Sequence, residues 1–123
     1  MSEHQHAKAL MEWVHRSMPL YPELACLYHI PNGGDRNLLV AKKLKAEGTM
    51  RGVADYHLPV AKGGFHSLYI ELKTPNGKQS QEQKNFQQLV EHYGNKYFVA
   101  HGWDKAAECI IDYLNYLPCR LDR

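Results

Sequence analysis

The chain has 123 residues, 44% hydrophobic and 23% charged, with a formal net charge of +2. That length suits one domain with a real core, and the ordinary apolar-to-charged balance excludes a disordered chain and a membrane-embedded one. No apolar run approaches the roughly 18–20 residues that cross a bilayer, and "MSEHQHAKAL" lacks the apolar stretch of a signal peptide, so a cytoplasmic location without a membrane partner is expected.

In chain order, Ala7, Leu10, Met11, Val14 and Met18 recur at helical spacing, with Ser2 as N-cap and Pro19 and Pro22 closing the segment. "CLYHI" reads as a short strand, "PNGGDRN" as a loop and "LLVAKKLKAEG" as a helix stopped by Gly48. Around that helix Arg36, Lys42, Lys43, Lys45 and Arg51 face only Glu47, a local balance of +4 that leaves −2 for the remainder. Such a patch either tracks phosphates or is a solvated helix face. "GVADYHLPVA" and "HSLYIELKT" read as a hairpin turning at "KGG", with Pro59 marking an edge or irregularity. After the turn "TPNGKQS", Ser80 caps a helix with Phe86, Leu89, Val90 and Tyr93 on one face; "KYFVAHG" is a strand. The last helix, roughly Asp104 to Leu117, offers Ala106, Ala107, Ile110, Ile111, Leu114 and Leu117 for burial. Alternation of this kind predicts an α/β domain, a mixed sheet flanked by helices. Cys26, Cys109 and Cys119 are odd in number and scattered, and read as free thiols of a reducing compartment.

Two carboxylates and a lysine interrupt the hairpin. Strand alternation puts Leu68, Ile70 and Leu72 on one face and Tyr69, Glu71 and Lys73 on the other. A turn near Gly63 and Gly64 brings Asp55 alongside Glu71 if the register permits. Carboxylates so placed repel each other, and a divalent cation with oxygen preference, Mg²⁺ or Mn²⁺, relieves that repulsion. A cation there would polarise a phosphodiester, with Lys73 left to orient water or stabilise developing charge. The plainer reading is an edge strand with a Glu-x-Lys on its solvent face. His57 shares the Asp55 face, either approaching the site or serving as hydrogen-bonded structure. Cys26 and His29 form a Cys-x-x-His pair with no second pair nearby, a poor zinc pattern.

Five segments in order, "SEH", "PNGGDR", "KLKAEGTMRGVAD", "IELK" and "SQEQ", resemble the VRR-NUC branch of the PD-(D/E)xK nuclease superfamily. They span most of residues 2 to 90. Ala54 stands where that family usually has proline before the aspartate, a change of backbone shaping rather than of ligands. The resemblance implies a restriction-endonuclease-like fold, with residues 1–123 as one VRR-NUC nuclease domain. It implies a Mg²⁺- or Mn²⁺-dependent deoxyribonuclease, with Asp55, Glu71 and the Leu72 carbonyl as metal ligands and Lys73 in catalysis. It further implies that Gln83 positions water or substrate, and that an N-terminal glutamate contributes. Helical phase favours Glu3 over Glu12 for that role, since Glu3 falls within the arc of Ala7, Leu10, Met11 and Val14; the alternative is a glutamate that only complements the helix dipole.

The expected function is therefore a DNA endonuclease acting on branched or duplex DNA, with Arg36, Lys42, Lys43, Lys45 and Arg51 as DNA contacts. By resemblance to stand-alone junction-resolving members, the expectation extends to a homodimer that resolves four-way (Holliday) junctions. Its apolar material would come from "DYLNYLPCRL" and "LYPELACLY", which serve equally as core. The alternative is a non-catalytic nucleic-acid-binding module of a repair or replication assembly.

Overall fold

A computed structural model of the protein describes residues 1–31 and 37–117. Arg36 of the basic group, Cys119 and the end of "DYLNYLPCRL" lie outside the described residues. Helix α1 (Glu3–Ser17) is followed by a 3₁₀ turn (Pro22–Cys26) and strand β1 (Tyr28–His29), then by α2 (Leu38–Ala46), β2 (Tyr56–Leu58), β3 (Leu68–Lys73), α3 (Gln81–His92), β4 (Lys96–His101) and α4 (Trp103–Leu114). Both α1 and α3 start with reciprocal capping boxes: the Ser2 hydroxyl accepts from the Gln5 amide and the Ser80 hydroxyl from the Gln83 amide. In return each glutamine's side-chain oxygen accepts from the serine backbone N–H. Two otherwise orphaned amides are satisfied at each helix start.

The four strands lie in the order β1-β2-β3-β4. The first two pairings are antiparallel and β3–β4 is parallel, a reversal made possible by α3 crossing between the parallel strands. The hairpin expected around "KGG" is present. Lys62 and Phe65 form an antiparallel bridge, and Gly63 and Gly64 between them take φ values of +60° and +87°, the paired left-handed residues that a tight hairpin turn requires.

One sheet face carries Tyr56, Leu58, Leu68, Ile70, Leu72 and Ala100, which join Leu10 and Val14 of α1 and Ala106, Ile110, Tyr113 and Leu114 of α4 in a single core. Each large member stabilises the fold by about 1.5–3 kcal/mol through apolar burial. Tyr113 is satisfied inside this core, its hydroxyl donating to the Val60 carbonyl at 2.5 Å. On the opposite face stand Tyr69, Glu71 and Lys73, with Phe86 of α3 set edge-on against Tyr69 and Tyr97.

Three helices depart from their sequence patterns. The last one stops at Leu114, capped at Asn115, so Leu117 is exposed rather than buried. In α3 no residue is fully buried, and Leu89 and Tyr93 face solvent. Helix α2 likewise buries none of its residues, leaving Leu38 and Leu39 70% and 79% exposed. The stretches offered for dimerisation divide: Leu24, Leu27, Tyr113 and Leu114 are core, whereas Leu20, Tyr28, Tyr116 and Leu117 are exposed. Cys26 is an exposed and Cys109 a buried free thiol. Among the described residues no helix is long and apolar enough to cross a membrane.

Candidate active site

The pairing of Tyr56 with Ile70 sets Asp55, one residue before β2, opposite Glu71. Backbone bonds extend the ladder to this point: the Asp55 amide donates to the Ile70 carbonyl at 3.0 Å and the Ile30 amide to the Asp55 carbonyl at 2.7 Å. The approach to Asp55 is tight. A side chain at Gly52 would meet the Glu82 backbone at 2.5 Å, so the loop entering the site rests directly on the start of α3. Ala54 is fully buried there.

Asp55 Oδ2 accepts from the Leu72 amide at 2.6 Å. Because the Ile70 carbonyl points toward this edge, strand periodicity turns the Leu72 carbonyl the same way. Burial raises the Asp55 carboxyl above its ordinary range; the Leu72 N–H opposes that, the Glu3 and Glu71 carboxylates add to it, and His29 opposes it. Glu3 is thus within electrostatic reach of Asp55, although its own side chain is exposed. Glu12 is also exposed and contributes nothing to that field.

Glu71 is 0% exposed. Its Oε1 accepts from the Tyr97 hydroxyl at 2.5 Å and from Gln79 Nε2 at 3.1 Å. Burial, and then the bond to Glu71, push the Tyr97 phenol far above its usual range, so it remains a donor. Glu71 Oε2 lies 3.5 Å from Lys73 Nζ, yet it is buried and receives no hydrogen bond. A carboxylate oxygen without a hydrogen bond in the interior is costly; the Lys73 ammonium offsets part of that cost, and a metal cation bound at Oε2 would offset more. Among the described residues no three His, Cys, Asp or Glu side chains converge as a metal-binding group. The available donors are Asp55, Glu71 and the Leu72 carbonyl, all hard oxygens. Such a set suits an ion that keeps several waters, as Mg²⁺ does.

The structure brings Asp55, Glu71 and Lys73 together and Glu3 to their margin. The described hydrogen bonds of Gln83 close the α3 capping box. The glutamine that reaches the carboxylates is Gln79, which also donates to Gln87 Oε1 at 2.8 Å. Gln79 and Tyr97 escaped sequence reasoning. Gln79 sits in a segment that reads as a turn, and Tyr97 acts across a parallel pairing 26 residues from Glu71. His57 is tied to Tyr28 and Ser67, and burial lowers its imidazole pKa. Lys42, Lys43, Lys45 and Arg51 are all exposed.

No family model matches the sequence, and no curated protein matches it. Among solved structures the chain is similar to one described as "VRR_NUC domain protein", with a TM-score of 0.82 and 24% identity over 96% of this chain and 92% of that one. The protein is thus an α/β domain with the fold of that VRR_NUC domain protein.

Proposed function

We propose that the chain is a VRR-NUC nuclease, a divalent-metal-dependent DNA endonuclease with its centre at Asp55, Glu71 and Lys73. The observation that carries this reading is the Glu71 carboxylate: fully buried opposite Asp55, held at one oxygen by two neutral donors, and at the other without a hydrogen bond and facing Lys73 at 3.5 Å. An edge strand's solvent-facing Glu-x-Lys would be hydrated instead. The shared fold with a VRR_NUC domain protein and the ordered motifs of the sequence agree with it.

Asp55, Glu71 and the Leu72 carbonyl would hold Mg²⁺ or Mn²⁺, which when bound supplies Lewis acidity and lowers the pKa of water. Tyr97 and Gln79 fix the Glu71 carboxylate, so little reorganisation is needed when substrate arrives. The Lys73 ammonium, drawn toward Glu71, is placed to donate to a phosphate oxygen as negative charge grows there. Glu3 adds negative charge at the rim. The exposed Lys42, Lys43, Lys45 and Arg51 would contact phosphates along the DNA, with Arg36 assigned to that group by sequence alone. Acting as a homodimer, two such centres would cut opposed strands of a four-way junction.

Cleavage of end-labelled single-stranded, duplex, flap and four-way substrates in Mg²⁺ or Mn²⁺ tests the activity and its structural preference, and light scattering tests the dimer. Paired symmetric nicks in the junction are expected. DNA binding without scission in either metal would favour the non-catalytic module.

A further inference from the structure

Tyr28, His57, Tyr69 and Tyr97 lie directly opposite one another across all four strands. They form one lateral row of rings on the face that carries the carboxylates. Tyr28 is set edge-on to His57, with centroids 5.5 Å apart, and His57 stacks on Tyr69 at 4.2 Å. The neighbouring row on that face contains Asp55 and Glu71. Tyr28 is therefore the diagonal neighbour of Asp55, a separation of about 7–8 Å that an aromatic side chain spans.

Burial falls along this row from Tyr97, which is buried, to Tyr28, which is 49% exposed. Exposed tyrosines on a two-residue edge strand ordinarily rotate freely, but this one is held by a relay of four hydrogen bonds. The Ser67 hydroxyl gives its proton to Asn95 Oδ1 at 2.6 Å, so it accepts from His57 Nε2 at 2.9 Å. His57 Nδ1 is then the acceptor for the Tyr28 hydroxyl at 2.9 Å. Asn95 completes the relay by donating to the Val90 carbonyl at 3.0 Å. The directions are mutually consistent with a neutral His57 protonated on Nε2. A rigid, half-exposed aromatic ring with its hydroxyl already satisfied has lost its rotamer entropy in advance, the property of a binding anchor.

We infer that Tyr28 is a stacking platform for an unstacked nucleobase of the DNA strand whose phosphate sits at Asp55 and Glu71. The inference rests on the nuclease reading and narrows it to substrates that present a base without a stacking neighbour, as at a branch point or in a single-stranded segment. A continuous duplex offers no such base. Stacking on one aromatic ring accounts for a roughly tenfold effect on affinity.

The test uses a four-way junction with 2-aminopurine at the branch point and a single strand carrying the same base, with Ca²⁺, a hard oxygen-binding cation, in place of Mg²⁺ or Mn²⁺ so that the carboxylates are neutralised and cleavage is suppressed. The full chain is expected to quench the 2-aminopurine in both. Tyr28→Leu is expected to lose that quenching and to bind both probes about tenfold more weakly. Tyr28→Phe, which keeps the ring but not the hydroxyl anchor, is expected to retain most of the quenching. Thermal melting of each variant establishes that it is folded. Wild-type quenching and affinity in folded Tyr28→Leu would overturn the platform alone, provided the wild-type chain binds and, in Mg²⁺, cuts DNA. A wild-type chain that neither binds nor cuts would overturn the nuclease reading, and the platform with it.

Discussion

The Tyr97 hydroxyl donates to Glu71 Oε1 at 2.5 Å across the parallel pairing of β3 with β4, and it leaves Oε2 of the same carboxylate buried without a hydrogen bond. One strand thus holds the glutamate still at one oxygen, while the other faces the Lys73 ammonium at 3.5 Å. Tyr97→Phe removes a hydrogen bond to a charged group, and a loss of about 1.5–3 kcal/mol is expected. Urea denaturation measures the loss. Metal-dependent cleavage is expected to fall with it, because only the Gln79 hydrogen bond and the Lys73 ion pair then hold Glu71.

Glu71→Gln separates metal binding from folding. The substitution removes a buried charge but also its ion pair with Lys73, contributions that oppose each other. The melting temperature in EDTA is expected to stay within a few degrees of wild type. Saturating Mn²⁺ should stabilise the wild-type protein, by about 2.7 kcal/mol at a hundredfold excess over Kd, and should leave Glu71→Gln unmoved.

The two N-terminal glutamates provide a paired control. Glu3 acts on the Asp55 carboxyl and Glu12 does not. Glu3→Gln is expected to lower the cleavage rate and Glu12→Gln to leave it near wild type. Single-turnover assays on one labelled substrate would distinguish them, and equal losses would place the helix phase in error.

No residue of helix α2 is fully buried, and Lys42 and Lys43 are exposed. Lys42→Ala combined with Lys43→Ala should therefore leave the melting temperature unchanged. It should weaken DNA binding and reduce the slope of log affinity against log salt by about 2, read from a fluorescence-anisotropy salt series.

Away from the site, Glu23 pairs with Lys62 at 3.1 Å, tying the 3₁₀ turn to the β2–β3 turn. Its own backbone hydrogen bond, and then Lys62, lower its carboxyl below the ordinary value of 4.5. A depressed carboxylate stabilises the fold above its unfolded pKa and loses that contribution as pH falls through the folded one. Glu23→Gln is expected to cost less than about 1 kcal/mol at pH 7. The difference from wild type should vanish in strong acid, as urea denaturation at several pH values would show.

Local rules made much of this fold legible. Both serine caps, the hairpin glycines and the period-two face of Tyr69, Glu71 and Lys73 follow from residues within a few positions of one another. The similarity in fold to a VRR_NUC domain protein agrees with the ordered motifs. Long-range geometry was less accessible. Gln79 meets Glu71 only because α3 folds back over the sheet, whereas Gln83 completes a helix cap that its own spacing from Ser80 already encodes. The apolar residues Leu38, Leu39, Leu89 and Leu117 satisfy helical periodicity without being buried, since periodicity reports which residues share a face and not what that face meets.

The most direct test of the central claim is strand cleavage of an end-labelled four-way junction by wild-type protein and by Asp55→Ala, Glu71→Ala and Lys73→Ala, each first shown to unfold cooperatively. Scission by the wild type that requires Mg²⁺ or Mn²⁺ and disappears in all three variants is the predicted result. Wild-type cleavage rates in any folded member of the three would contradict it.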